Sequence, residues 1–343
     1  MQLLVGLFVI SLLLLGGCST DGRNDNLVIT SGPTMGTAYM IKLVSTPGLS
    51  EELVQRTKTG IDSLLALTNQ QMSTFVHNSE ISRFNSHTRT DWFPVSPDMV
   101  RVIEQSLEIS SKSSGAFDIT TGALVNLWGF GPEERDSDIP TRQEIRRVQQ
   151  HTGYEKISVR TSPPSIKKET PETCCDLAGI AKGYAVDRIA EYLDSEGISD
   201  YLVEIGGEIR ARGKNQQNRL WQVGIAIPDN ESGIQKVVSL NNTSMATSGD
   251  YRNFYEKKGI RYSHIIDPRT GEPVTHKLAS VTVIHDLCSY ADALATAISV
   301  LGPDDGYELA LKEDLAVLLI IKETDGFVEK MTPRFREALS LTG

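Results

Sequence analysis

The chain has 343 residues, of which 39% are hydrophobic and 23% are charged, a balance typical of a globular protein with a sizeable core. Its formal net charge of -10 disfavours nucleic acid as a partner, because an acidic surface repels phosphate backbones. A small nucleotide ligand stays compatible with this charge, since one local pocket can reverse the average sign.

The first 17 residues have the pattern of a signal peptide, and we expect residues 18–30 to form a lipidated tether. The apolar run VGLFVISLLLL is too short to span a bilayer of about 30 Å. It leads into LGGC, which ends at Cys18 and resembles the lipobox of bacterial lipoproteins. The alternative is an ordinary secretory signal with a chance cysteine, since the first residues contain no Lys or Arg. We therefore predict lipidation at Cys18 and a periplasm-facing position in the bacterial cell envelope, on the outer or the inner membrane.

The residues that follow predict a mixture of strands and helices. Alternating residues in AYMIKLV predict a strand, and three helices are expected to begin after Ser50, Ser96 and Thr141, each an N-capping residue. The second half predicts strands at YLVEIGGEIRARG, WQVGIAIP, ASVTVIH and LAVLLIIK, with a helix at SYADALATAISVLG. Because strands and helices do not alternate strictly, we expect an α+β fold with mixed or antiparallel sheets flanked by helices.

Three cysteines follow Cys18, at Cys174, Cys175 and Cys288. Their spacing does not resemble a zinc site. We expect buried thiols, and a disulfide from Cys288 to one of the adjacent pair stays open at this stage.

The segment DLAGIAKGYAVDRIAEYL begins at Asp176 and has an unusual helix entrance. A helix N-terminus presents free N–H groups and a positive dipole end, which suit a phosphate. Gly179 would let the backbone approach a ligand, and Lys182 could reach a phosphate oxygen. Asp176 could cap the helix or accept a hydrogen bond from the ligand. The alternative is a capped surface helix with a solvated lysine.

The segment ADALATA places Asp292 and Thr296 four residues apart, so that both oxygens lie on one helix face. A carboxylate and a hydroxyl in that arrangement can bind a hard cation such as Mg²⁺. The alternative is a packing helix that carries an aspartate near its N-terminus for reasons of dipole stabilisation.

Two other segments carry candidate ligand-binding residues. In GAFD, Phe117 and Asp118 could stack on a planar ring system and hydrogen-bond to it, although a turn followed by core aromatics is the alternative. In SHIIDPRTGEP, His264 precedes a sequence that predicts a tight turn.

Seven separated segments together resemble the ApbE family of FAD:protein FMN transferases, from about Ser31 to Gly302 and beyond. They are TMGTAY, STFVHNSEISRFN, GAFDITTGALVNLWGFGP, DLAGIAKGYAVDRIAEYL, EIGGEIRARG, ATSGDYRNFYE with RYSHIIDPRTGEPV, and ADALATAISVLG. The resemblance implies a single large domain at residues 31–343 with two lobes. It also implies a Mg²⁺-dependent enzyme that splits FAD, moves the FMN half onto a Thr or Ser hydroxyl of an acceptor redox-complex subunit, and releases AMP.

The resemblance assigns roles to individual positions. His264 is expected to assist transfer, and Asp292 to be catalytic as well as a metal ligand. The implied metal ligands are the carbonyl of Gly179 and the side chains of Asp292 and Thr296. Phe75 stands where Tyr is common, and Ala295 stands where Ser is common. The implied FAD contacts are Met35, Phe75, Ala116, Phe117, Asp118, Asp176, Lys182 and Ile266.

Two alternative functions remain open from the sequence. The same site could pass the flavin phosphate to water, as a FAD pyrophosphatase that yields FMN and AMP. The chain could also be a flavin-binding lipoprotein without turnover.

Overall fold

The computed structural model describes residues 27–45, 50–133, 139–228, 233–249, 254–257 and 259–340. The predicted signal peptide, Cys18 and most of the predicted tether lie outside the described residues.

The main sheet has eight strands, and every neighbouring pair is antiparallel. In β2 the alternating residues Tyr39, Ile41 and Leu43 are buried, as the sequence pattern predicts. The strands in spatial order are β1 (Leu27–Thr34), β2 (Thr37–Val44), β6 (Tyr201–Ile205), β7 (Glu208–Arg212), β10 (Thr243–Gly249), β15 (Leu278–His285), β16 (Ala316–Glu323) and β17 (Gly326–Met331).

Four smaller sheets surround the main one. They are the three-stranded sheet of β3 (Phe93–Pro94), β5 (Pro164–Lys168) and β4 (Ile157–Thr161), and the two-stranded pairs β8 (Trp221–Ala226) with β9 (Ile234–Leu240), β11 (Phe254–Lys257) with β12 (Ile260–Ser263), and β13 (Ile266–Asp267) with β14 (Glu272–Pro273).

Three helices begin where the sequence predicts them. The side chains of Ser50, Ser96 and Thr141 each accept a hydrogen bond from the first turn of α1, α3 and α5. At Thr141, Glu144 completes a capping box. The helices are α1 (Glu51–Met72), α2 (Glu80–Asn85), α3 (Pro97–Lys112), α4 (Gly122–Leu127), α5 (Arg142–Gln149), α6 (Ala181–Ser195), α7 (Cys288–Lys312) and α8 (Pro333–Ser340), with a short 3₁₀ turn at Tyr154–Lys156.

Helices α6 and α7 pack against each other and against the main sheet, and they position the site described below. Helix α7 is kinked at Gly302, whose φ of 83° lies outside the helical region and which precedes Pro303. Its N-terminal half is almost entirely buried, with Ala291, Ala293 and Ala295 in the core. The α+β expectation, with antiparallel sheets flanked by helices, is therefore confirmed.

The three cysteines carry free thiols, so the disulfide that the sequence left open is not formed. Cys175 and Cys288 are fully buried, and this burial raises the pKa of both thiols. Within the described ranges, no helix is both long enough and apolar enough to cross a bilayer.

Candidate active site

A cavity of about 380 Å³ brings together most of the residues that the sequence singled out. It lies where the segment before α6, helix α7, the β6–β7 turn and the end of β10 meet. The predicted residues that line it are Ala116, Phe117, Asp118, Asp176, Gly179, Lys182, His264, Ile266, Asp292 and Thr296. Residues far apart in the chain thus converge on one volume, as a ligand site requires.

The entrance of α6 differs in detail from the expectation. The helix begins at Ala181, and Asp176 does not cap it. The Asp176 Oδ1 atom instead accepts a hydrogen bond from the N–H of Ala178 at 2.8 Å, within the turn that leads to the helix. The N–H of Asp176 donates to the carbonyl oxygen of Ile119 at 2.7 Å. This bond ties the turn to the segment that carries Asp118. Desolvation raises the pKa of Asp176, and the Ala178 N–H opposes the rise.

Asp292 and Thr296 lie on one face of α7, as their spacing predicts, and both line the cavity. Asp292 is buried, and its Oδ2 accepts a hydrogen bond from the Gly183 N–H of α6 at 3.0 Å. The Thr296 hydroxyl lies 3.4 Å from that of Ser248 on β10. A Cβ atom on Gly179 would stand 3.3 Å from the Thr296 hydroxyl oxygen, so this glycine packs directly beside Thr296.

Lys182 lies between two buried carboxylates. Its Nζ is 3.0 Å from Glu208 Oε1 and 3.8 Å from Asp292 Oδ1. Burial by itself would lower the pKa of Lys182, but the two carboxylates outweigh it and raise this pKa well above its usual range. Burial raises the pKa of Asp292 and of Glu208, while the Lys182 ammonium opposes both shifts. The lysine therefore belongs to a buried charge cluster as well as to the cavity wall.

Glu208 is the main functional candidate that our sequence reasoning missed. It begins β7 directly after a turn in which Gly206 and Gly207 have φ values of +61° and +107°. The tight turn places Glu208 opposite Ile205 and into the cavity wall. The side chain is almost fully buried, and its Oε2 atom has no hydrogen-bond partner among the described residues. The EIGGE segment carried a sequence signal for Glu208, because a carboxylate that follows two glycines at the start of a strand is unusual.

Asp118 and its neighbours form another wall of the cavity. Asp118 is buried, and its Oδ1 accepts hydrogen bonds from the N–H and the hydroxyl of Thr120 at 2.7 and 2.6 Å. Burial raises the pKa of Asp118, and the two Thr120 bonds oppose the rise. Ala116 and Phe117 are also buried, and Phe117 packs close to Gly179. These residues therefore combine an apolar surface with one oriented carboxyl group.

His264 also lines the cavity. It follows β12 and precedes Ile266 in β13, and its ring is half-buried. The ring lies edge-on to Phe130, with the two centroids 6.3 Å apart. Phe130 in turn contacts Tyr255 of the β11–β12 hairpin, at a centroid distance of 5.4 Å. An aromatic group thus fixes one side of the histidine.

Two predicted residues do not line this cavity. Met35 lies in the β1–β2 turn with a φ of 47°, and its side chain packs against the core. Phe75 follows α1 and is 72% exposed. The lining residues that the sequence reasoning did not assign are Thr121, Val125, Ala178, Gly206, Glu208, Thr247, Ser248, Gly249, Ile265, Pro268 and Val300.

The predicted metal ligands fit a hard cation such as Mg²⁺. The Asp292 carboxylate, the Thr296 hydroxyl and the adjacent Gly179 backbone supply oxygen donors, which Mg²⁺ prefers. Across the described part of the chain, no three His, Cys, Asp or Glu side chains meet as a metal cluster. Of the predicted metal ligands, Asp292 is therefore the one charged side chain.

The comparisons with known proteins agree with this fold. The sequence profile of the ApbE family matches residues 35–319. A FAD:protein FMN transferase of Vibrio cholerae is 43% identical over 96% of this chain and 97% of its own length. The Escherichia coli K12 protein of the same name is 40% identical over 91% of this chain and 89% of its own length.

Comparison with solved structures supports the same family. The flavin transferase ApbE from Vibrio cholerae superposes with a TM-score of 0.85, at 42% identity, over 91% of this chain and 99% of that one. The apo flavinyl transferase ApbE of Pseudomonas stutzeri superposes with a TM-score of 0.84, at 36% identity, over 91% of this chain and 96% of that one. The fold is that of a flavin-transferase-like α+β protein. This chain belongs to the ApbE family.

Proposed function

We propose that this chain is a FAD:protein FMN transferase, which moves FMN from FAD to a Thr or Ser hydroxyl of an acceptor protein and releases AMP. Relatives that carry this name are similar to the chain over nearly its whole length. The observation that carries the proposal is the convergence of the predicted FAD and metal residues on one cavity.

The charge of the site suits a diphosphate once a cation is bound. FAD brings two negative phosphates to a chain whose net charge is already -10. Lys182 and the positive dipole end at the start of α6 offset part of this charge. Asp292, Thr296 and the Gly179 carbonyl would hold Mg²⁺, which supplies Lewis-acid stabilisation to the phosphate oxygens. The apolar surface of Phe117 and Ile266 would contact the less polar parts of FAD.

The transfer step requires a positioned hydroxyl and a proton acceptor. The acceptor hydroxyl oxygen forms a bond to the FMN-side phosphorus, and the bond from that phosphorus to the bridging oxygen breaks. AMP leaves with the bridging oxygen, and the hydroxyl proton passes to a base. His264 is our candidate for this base because it is the histidine that lines the cavity. Catalysis of this kind depends mostly on positioning and charge stabilisation.

Protein and water compete as acceptors at such a site. A hydroxyl of the acceptor protein must displace water from the FMN-side phosphorus, and a water molecule in its place yields free FMN. The pyrophosphatase alternative therefore uses the same side chains and differs only in what reaches the phosphorus.

The acceptor and the location complete the proposal. We infer that the acceptor is an exported or membrane-embedded redox subunit with a Thr or Ser in a short motif. A lipid on Cys18 would hold the enzyme at the periplasmic side of the cell envelope.

The test is a reaction of the purified chain with FAD, Mg²⁺ and candidate redox subunits. Intact-mass spectrometry should detect one FMN covalently bound to the acceptor, and chromatography should detect an equal amount of AMP. Replacement of the acceptor hydroxyl residue with Ala or Val should remove the adduct. Formation of free FMN and AMP with no adduct on any subunit would favour the pyrophosphatase. Binding of FAD without AMP release would favour the flavin-binding lipoprotein without turnover.

A further inference from the structure

The turn between β6 and β7 delivers a carboxylate to the cavity that neither the metal nor the phosphate assignment uses. Glu208 is 3% exposed and lines the cavity beside Gly206. Its Oε1 faces the Lys182 ammonium at 3.0 Å. Its Oε2 is buried and has no hydrogen-bond partner among the described residues. A buried acceptor without a donor is costly, because desolvation of the oxygen is not compensated.

The neighbouring groups cannot satisfy this oxygen as they stand. Lys182 is already shared between Glu208 and Asp292. Asp292 carries the same charge, and its Oδ2 is occupied by the Gly183 N–H. The missing partner is therefore a hydrogen-bond donor that enters the cavity. With Glu208 ionised and paired with the Lys182 ammonium, a phosphate oxygen would meet a like charge, whereas a hydroxyl group donates.

We propose that Glu208 Oε2 accepts a hydrogen bond from a hydroxyl group of a bound substrate. This inference rests on the proposed function for the identity of that substrate. Two hydroxyl sources exist in the reaction, namely the polyol and ribose hydroxyls of FAD and the Thr or Ser hydroxyl of the acceptor. In the second case Glu208, rather than His264, would take the proton of the acceptor hydroxyl. Both sources share the chemistry of a neutral donor, and the experiment separates them.

Glu208→Gln is the decisive variant because it replaces one hydrogen-bond acceptor with a donor and keeps the shape of the side chain. Lys182 can only donate, so the glutamine carbonyl oxygen would face Lys182 and the NH₂ group would replace Oε2. A donor would then meet the substrate hydroxyl where an acceptor stood. Glu204→Gln is the matched control. Glu204 lies in β6 of the same hairpin, and its Oε1 accepts from the Gly207 N–H at 2.8 Å.

The first measurement is the affinity for FAD without acceptor, read by flavin fluorescence at a fixed Mg²⁺ concentration before AMP is released. If the donor is on FAD, Glu208→Gln should weaken FAD binding about tenfold or more, and Glu204→Gln should bind like the parent chain.

The second measurement is the rate of FMN transfer at several acceptor concentrations. Hydrolysis of FAD by water is measured separately, as the release of AMP without acceptor. If the donor is the acceptor hydroxyl, transfer should fall about tenfold or more while FAD affinity and the reaction with water change little.

The inference is overturned if Glu208→Gln changes neither FAD affinity nor transfer by more than about twofold, because Oε2 then faces only water. It is also overturned if Glu204→Gln causes the same losses, since the effect would be one of charge alone. If Glu208→Gln does not fold, Glu208→Asp takes its place, because it keeps a charge for Lys182 and withdraws the oxygen by one methylene group. Absence of both AMP release and transfer in the parent chain would contradict the proposed function, while the FAD titration would still test Glu208.

Discussion

The backbone N–H of Gly183 donates a hydrogen bond to Asp292 Oδ2 at 3.0 Å and so joins the first turn of α6 to the cavity face of α7. A second link lies one turn along α6. The Asp187 carboxylate accepts from the N–H groups of Cys288 and Ser289, each at 2.9 Å, and caps α7 in place of a local residue. The direction of the Asp292 carboxylate is therefore set by the packing of two helices.

This relationship predicts a large effect from one added methyl group. In Gly183→Ala the new Cβ would stand 2.3 Å from the Cys288 carbonyl oxygen, a backbone atom. The start of α7 would have to move, at a cost of about 1–3 kcal/mol, and Asp292 would move with it. Urea unfolding should show the loss of stability, and FMN transfer should require more Mg²⁺. Gly224→Ala is the control, because its Cβ would meet only the flexible side chain of Ile234.

Asp292→Asn separates charge from position in the same carboxylate. The amide carbonyl can still accept from Gly183, so the helix contact is kept while one charged oxygen donor is lost. We expect transfer to fall more than about 100-fold at limiting Mg²⁺, with unfolding near that of the parent chain. Asp305→Asn, on the exposed part of α7, serves as the control and should react normally. Parent-like activity of Asp292→Asn at low Mg²⁺ would contradict the metal assignment.

Local patterns in the sequence predicted much of the site. The four-residue spacing of Asp292 and Thr296 predicts a shared helix face because the helical repeat is local. The capping residues Ser50, Ser96 and Thr141 predict helix starts for the same reason. These features depend on residues within one turn of each other, and the structure has them where the sequence predicts them.

Contacts between distant segments were not predictable in the same way. The pairing of Lys182 with Glu208 depends on how the β6–β7 turn meets α6, and no spacing records that contact. The sequence therefore presented Lys182 as a free phosphate ligand, whereas the structure places it in an ion-pair cluster. Asp176 was a candidate cap, but the chain turns once more before α6 begins at Ala181.

The proposed lipid anchor predicts a change in cell fractionation. Cys18→Ala removes the thiol that would carry the lipid, so no lipid would hold the variant at the membrane. We expect the variant to leave the membrane fraction, which immunoblots of membrane and soluble fractions can follow. Cys174→Ala is the control because this cysteine lies within the folded domain. Equal membrane association of parent and Cys18→Ala would argue against the anchor.

The α3–α6 ion-pair network predicts a stability contribution that depends on pH. Glu191 contacts Arg101 at 2.8 Å and also contacts Arg188. Burial alone would raise the pKa of Glu191, but the two guanidinium groups outweigh it and lower this pKa below its ordinary value. A carboxyl group with a lowered pKa stabilises the fold above its unfolded-state pKa and loses this contribution as the pH falls through the folded-state pKa.

Glu191→Gln should therefore cost about 0.5–1 kcal/mol near pH 7, a modest value because the side chain is partly exposed. The difference from the parent chain should shrink as the pH falls below about 4. Urea unfolding at several pH values measures it, with Glu104→Gln, an exposed residue of α3, as the control. A constant difference across this pH range would show that the carboxylate charge is not involved.

Lys182→Ala tests whether the lysine acts on the ligand, on the fold, or on both. From the sequence alone, alanine in a first helical turn should leave stability unchanged. In the structure, its removal leaves Glu208 and Asp292 without their shared counter-charge in a buried site. We therefore expect a loss of roughly 3 kcal/mol in the free energy of unfolding, at the lower end for a broken buried pair because 28% of the lysine side chain is exposed.

FAD affinity of Lys182→Ala should also fall about tenfold or more, since a charge-assisted contact to the diphosphate is lost. Lys58→Ala, which breaks the exposed pair with Asp62, should change stability little and leave FAD binding unchanged. If Lys182→Ala lost stability but bound FAD like the parent chain, the lysine would serve the carboxylate cluster alone and the diphosphate would depend on the helix dipole and the cation.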